Sequence, residues 1–143
     1  MKSNARYDLM LYVVLAFFMC VNTGCFTVKN RPGFTYEKLE PTEYNALLAD
    51  STDHALVDVR TNGEYKRSHM KGAVNKSYLA FNYRKAFSGI DRNKLLFVYC
   101  QTCHRSPLAA RKLKRMGFRR VVDLKGGYQQ WQKERERQEA SVE

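Results

Sequence analysis

Apolar runs separated by helical periodicity organise most of this chain. Leu95 to Cys100 (LLFVYC) is apolar at every position. A segment with no polar face predicts a central strand buried on both sides of a parallel sheet. Ala55 to Val59 (ALVDV) and Val121 to Leu124 (VVDL) predict two shorter strands. Phe34 to Leu39 alternates weakly, as an edge strand does, and Gly72 to Asn75 (GAVN) predicts a further short extended piece. Helical spacing fills the intervals. Thr42 is the expected N-cap of EYNALLAD, with Glu43 in its first turn and Tyr44, Leu47 and Leu48 as its apolar stripe. Thr61 to Ser68 predicts one or two turns, and Tyr78 to Ser88 is helical for part of its length. Ser106 and Pro107 supply an N-cap and first helical position for LAARKLKRM. Leu108, Leu113 and Met116 are its core candidates, and Gly117 is its stop. Gly126 and Gly127 turn the chain into a last helix, YQQWQKERERQE, with Trp131 inward and fraying expected after Arg137. Strands alternating with helices predict an α/β fold: an open parallel sheet of about five short strands flanked by helices on both faces.

The N-terminus follows another pattern. Lys2 and Arg6 precede Leu9 to Val21, which has no charged or strongly polar member, and Asn22, Thr23, Gly24 and Cys25 follow. A basic start, a short apolar run and a small residue before a cut make a secretory signal. Gly24-Cys25 resembles a bacterial lipoprotein signal, with Cys25 as the lipidated residue, although Asn22 stands where such signals usually carry leucine. An uncleaved membrane helix over Leu9 to Val28 and a cleaved, secreted form are the alternatives. Each predicts an extracytoplasmic domain, periplasmic and membrane-anchored in the favoured case. The expected organisation is a signal or anchor over 1–25, a linker over 26–33 containing the turn-forming KNRPG, a domain over 34–138 and a charged tail over 139–143.

The net charge of +11 is concentrated between Arg105 and Lys125, where Asp123 is the lone acid. Such a field attracts anions: small inorganic ions, lipid headgroups or nucleic acid. No nucleic-acid motif accompanies the charge, so nucleic acid is not an expected partner. The four cysteines, Cys20, Cys25, Cys100 and Cys103, do not form the framework of a disulfide scaffold. They and the scattered histidines also lack the paired spacing of a zinc site, so zinc is not expected.

The chemistry is expected in VYCQTCHRSP. Cys100 ends the central strand, and the carboxyl ends of such strands open into a ligand crevice. Its loop turns into a helix start, where backbone N–H groups converge and the helix dipole favours an anion. Those surroundings lower a thiol pKa from about 8.5 to roughly 3.5–7.5, and Arg105 adds a permanent charge with a fork of donors. Cys100 is therefore the candidate nucleophile and Arg105 its catalytic partner. Gln101, Thr102, Cys103, His104 and Ser106 form the expected substrate-binding loop.

Five segments together resemble the rhodanese family of sulfurtransferases: ALVDVR at Ala55 to Arg60, EYKRSHMKGAVN at Glu64 to Asn75, LLFVYCQTCHRS at Leu95 to Ser106, GF at Gly117 and Phe118, and VVDLKGGYQQW at Val121 to Trp131. The resemblance implies that Cys100 takes sulfane sulfur from a small anionic donor such as thiosulfate, holds it as a persulfide, and passes it to cyanide or a thiol. It also implies that no metal or organic cofactor is needed, and that Asp58 and Arg60, in the family's Asp-Val-Arg segment, form a buried pair that braces the loop. The C-x4-R spacing separates this loop from the C-x5-R of related phosphatases and arsenate reductases. Cys103 departs from the family, which often has glycine there; a positive φ at that position would strain a cysteine. The C-x-x-C pair also leaves open a thiol–disulfide redox or sulfur-relay protein using Cys100 and Cys103, or a rhodanese-like binding module without turnover. His104 is expected as an exposed loop residue, His69 as structural and His54 as a surface residue.

Overall fold

The computed structural model describes residues 28–141. The expectations for residues 1–27, including lipidation of Cys25, lie outside that range. The described chain runs β1 (Thr35–Leu39), α1 (Pro41–Asp50), β2 (His54–Asp58), α2 (Asn62–Arg67), β3 (Val74–Asn75), α3 (Tyr83–Ala86), β4 (Leu95–Tyr99), α4 (Arg105–Arg115), β5 (Arg120–Leu124) and α5 (Gly127–Ala140). The five strands form one parallel sheet in the order β1-β5-β4-β2-β3. Helices cover both faces, as the strand–helix alternation predicts.

Side-chain alternation along β4 divides the core in two. Leu96, Val98 and Cys100 join Val57, Val59 and Val121 beneath α3 and α4. Leu95, Phe97 and Tyr99 join Leu56, Val122 and Leu124 beneath α1, α2 and α5. All five residues of β4 are buried, which is why the strand carries no polar position. Its register places Asp58 beside Tyr99, so β2 and β4 deliver their carboxyl ends to the same edge.

Several helix details depart from the sequence expectation. Helix α1 begins at Pro41 with Glu40 as its cap, not Thr42, because proline is pre-set for the first helical position and Glu43 accepts the Glu40 N–H. Helix α4 begins at Arg105 with His104 as N-cap. Ser106 is instead turned inward, its hydroxyl 3.4 Å from Cys100 Sγ, and Pro107 still lies in the first turn, where its missing N–H costs nothing. Leu108 is only partly buried, while Ala109 and Ala110 are fully buried; small side chains let α4 approach the sheet closely. Helix α5 does not fray after Arg137 but continues to Ala140, with Arg137–Glu134 and Arg135–Glu139 pairs along its outer face. His54 is half-buried, edge-on to Phe97 at 5.6 Å, with Nδ1 2.7 Å from the Ser51 carbonyl.

Two buried features constrain the fold near its functional edge. Gly127 has φ +66, and a Cβ there would overlap the Thr102 carbonyl and lie 2.6 Å from that of Cys100. Only glycine lets α5 start against the loop that follows β4. Asp123 on β5 is fully buried beside the Tyr36 hydroxyl, which donates to Oδ2 at 2.6 Å, and Lys38 Nζ lies 3.9 Å away. Burial pushes its carboxyl from 3.8 up to about 6, against the opposing pull of the Ser106 and Tyr36 hydroxyls and Lys38.

These features give two tests. Gly72 also has a positive φ, +82, but nothing within 4 Å of a Cβ. Gly72→Ala therefore carries backbone strain alone, about 1 kcal/mol, whereas Gly127→Ala adds the overlap and costs at least ~2 kcal/mol more in urea unfolding. Equal losses would show that the loop yields freely. The raised folded pKa of Asp123 means that its ionisation in the native state costs stability as pH rises from about 4 through about 6. Asp123→Asn should match the parent near pH 4 and exceed it by about 3 kcal/mol near pH 8. An unfolding free-energy difference independent of pH would contradict this.

Candidate active site

Cys100 follows directly on β4, and the chain then makes four bends before α4. The Cys100 carbonyl has left the β-ladder and accepts the Tyr128 N–H at 2.8 Å, while the Gln101 carbonyl accepts that of Gln129 at 3.1 Å. The first turn of α5 thus holds the near side of the loop through backbone groups. The loop's own amides are oriented differently. Among the described residues, those of Gln101 through Ser106 donate to no carbonyl or side chain of the protein. Ser106 lies in the first turn of α4, so the amides that a helix N-terminus leaves unpaired belong to this same loop.

The Cys100 side chain is buried, with its sulfur against the Ser106 hydroxyl. Cys103 is exposed; its sulfur lies 3.9 Å from both ring nitrogens of His104, whose Nδ1 is also 3.3 Å from the Thr102 hydroxyl. Both loop cysteines are free thiols. No residue other than glycine has positive φ among those described, so Cys103 occupies its position without left-handed strain.

Asp58 and Arg60 form the expected buried pair, and it reaches the loop. Arg60 is 2% exposed. Its Nε and Nη2 donate to the Asp58 carboxylate at 2.7–3.1 Å, and its backbone N–H to Oδ1 at 2.8 Å. Nη1 donates to Gln101 Oε1 at 3.0 Å and Nη2 to the Ser68 carbonyl at 2.6 Å. The guanidinium stacks over Tyr128, 4.0 Å from the ring centroid. One cation thus joins the end of β2, the exit of α2, the active loop and the start of α5.

Arg105 takes a position that its spacing did not reveal. Its fork closes on Glu64, with both nitrogen–oxygen distances 2.7 Å. Glu64 sits in the first turn of α2, where Thr61 caps the helix and donates to the same carboxylate at 2.6 Å from its hydroxyl and 2.9 Å from its backbone N–H. The Arg105 hydrogen bond is the largest influence holding the Glu64 carboxyl down at about 2. Glu64 is the site residue that sequence reasoning left unassigned; Thr-x-x-Glu marks it as a capping-box residue, and its pairing with Arg105 spans 41 positions. His69 stacks on Tyr65 at 4.0 Å and stays outside this network. Between α2 and α5 a polar cleft of about 420 Å³ opens, lined by Arg60, Glu64, Arg67, Gln101, Tyr128 and Gln132.

Comparison with known proteins agrees with this arrangement. The sequence pattern of the rhodanese-like domain matches residues 40–134. The chain is 31% identical over 118 residues to a tRNA uridine(34) hydroxylase from Bdellovibrio bacteriovorus, covering 80% of this chain and 33% of that protein. It is 28% identical over 101 residues to the adenylyltransferase and sulfurtransferase UBA4 of Candida albicans, covering 66% of this chain and 23% of that protein. The chain therefore spans a third or less of these two relatives. A rhodanese-related protein from Thermoplasma volcanium superposes with a TM-score of 0.59 at 23% identity, covering 69% of this chain and 93% of that one, and shows the same fold. With a parallel sheet in this order, a cysteine loop at its carboxyl edge and a family pattern spanning most of its length, this chain belongs to the rhodanese-like domain family.

Proposed function

We propose that the protein is a sulfurtransferase that carries sulfane sulfur on Cys100. The observation that supports this best is the placement of that thiol: at the carboxyl end of the central strand, against a hydroxyl, under a loop whose amides have no acceptor in the protein. Amides so disposed stabilise a sulfur anion and the oxyanion of a donor.

The cycle has two displacements. Cys100 thiolate attacks the outer sulfur of thiosulfate; a new S–S bond forms, the donor's S–S bond breaks, and sulfite leaves with the electron pair. The product is a Cys100 persulfide anion, held by the loop amides and the Ser106 hydroxyl. Cyanide or a thiolate then attacks the terminal sulfur and displaces the Cys100 thiolate. With cyanide the product is thiocyanate, and the enzyme returns to its starting state. Arg105 supplies positive charge beside the loop while Glu64 fixes its direction, so its first role is to hold α4 and the loop against α2. We read the N-terminal apolar run as a signal or anchor, a reading that supports a reaction held at a membrane on the extracytoplasmic side.

Thiocyanate production from thiosulfate and cyanide tests the nucleophile. The parent should be active, Cys100→Ser should lose at least ~100-fold, and Cys103→Ser should remain active. Activity surviving in Cys100→Ser would remove the proposal; a parent that makes no thiocyanate but exchanges disulfides would establish the redox reading. Arg105→Lys keeps the charge and gives up the two-pronged bond to Glu64. It should lower kcat/KM about tenfold while costing no more than ~1 kcal/mol of stability, since the pair is partly solvated. Unchanged kcat/KM would show that the fork has no part in turnover.

A further inference from the structure

One face of the domain has features that sulfur transfer does not use. Phe81 is fully exposed and Leu79 is 68% exposed, on the segment between β3 and α3. Two large apolar side chains on one exposed turn are costly in water and mark a contact surface. That turn is fixed rather than loose. Lys112 of α4 donates to the Tyr78 carbonyl at 3.3 Å, and its ammonium sits 4.0 Å from the Tyr78 ring centroid and 4.7 Å from that of Tyr83.

From Lys112 the surface is continuous and basic. A shallow apolar depression beside it is lined by Tyr83, Arg84, Arg115 and Met116. Arg115 also borders the neighbouring cleft with Arg111 and Lys114, and the far wall of that cleft is Val28, Lys29 and Arg31. Lys114 Nζ donates to the Lys29 carbonyl at 2.7 Å, so the entering chain is held on this face. The three segments that build it, 28–34, 76–90 and 105–115, contain no aspartate or glutamate.

We propose that this face lies on an anionic lipid bilayer, with Phe81 and Leu79 entering the interface and the α4 cations against the headgroups. Three observations select that occupant. The charge is of one sign and spread across the face rather than gathered at a point, matching a sheet of headgroups. The apolar side chains form a projecting tip rather than a groove, which suits insertion to the acyl boundary. The chain enters the face at Val28, and the 27 residues before it include the uncharged run Leu9–Val21. Each basic side chain near such a surface strengthens association roughly fivefold. A basic apolar tip that also faces the membrane would fix the domain's orientation, beyond merely keeping it close.

The sole native tryptophan, Trp131, is buried in the core on the opposite side of the sheet, so it serves as an internal control. The test uses the full chain with Phe81→Trp, added to vesicles of two parts phosphatidylcholine to one part phosphatidylglycerol, with brominated acyl chains as quenchers. Emission from the variant should fall by about half and that of the parent should barely change. Quenching should weaken at least fivefold in pure phosphatidylcholine and in an Arg111→Glu, Arg115→Glu version of the variant. A Phe81→Trp chain that floats with the anionic vesicles yet is no more quenched than the parent would overturn the proposal, and so would equal quenching in neutral vesicles. Thiocyanate production by the same variant without vesicles should equal that of the parent, so the outcome is independent of the sulfur-transfer reading.

Discussion

A guanidinium cannot be buried without partners for its donors, and the Arg60 side chain is nearly inaccessible to water. That requirement organises the carboxyl edge of the sheet. Asp58 supplies the countercharge from the same strand end, Ser68 a carbonyl from the end of α2, Gln101 an amide oxygen from the loop, and Tyr128 a ring face from α5. Removing one member of such a buried pair costs about 3–5 kcal/mol, because the remaining charge is left without compensation. Four segments of the chain are thereby held in one arrangement, and the loop that carries the thiol is one of them.

The proposed nucleophile depends on that frame. Cys100 has no ladder hydrogen bond of its own, so its carbonyl is held by the start of α5, and that approach needs a glycine at position 127. The far side of the loop is held by α4, whose first residue is tied to α2 through Glu64. With both ends fixed, the amides between them are preorganised and do not collapse onto chain acceptors. Preorganised donors stabilise developing negative charge without reorganising during the reaction.

The parts of this arrangement legible in the sequence are those written in local patterns. An unbroken apolar run ending in cysteine marks the central strand and the candidate site, and likeness to the family's Asp-Val-Arg segment marks the buried pair. The interactions between distant segments were not legible. Nothing near Arg105 announces Glu64, and nothing near Gln101 announces Arg60. Ser106 has the residue type of a helix cap, but its hydroxyl turns inward between the Cys100 thiol and Asp123, and the helix starts at Arg105, two residues earlier than a Ser106 cap would place it. Asp123 carries a sign of its burial in its own strand. Strand alternation places it on the same face as buried Val121, yet in the sequence it stood out only as the lone acid among basic residues.

The central claim is that Cys100 itself carries the transferred sulfur. Intact mass measurement of the protein after incubation with thiosulfate, without acceptor, addresses it directly. The parent and Cys103→Ser should each gain the mass of one sulfur atom, located by peptide mapping to Cys100 and removed by cyanide, while Cys100→Ser should gain none. A gain located on Cys103, or one that persists in Cys100→Ser, would contradict the account.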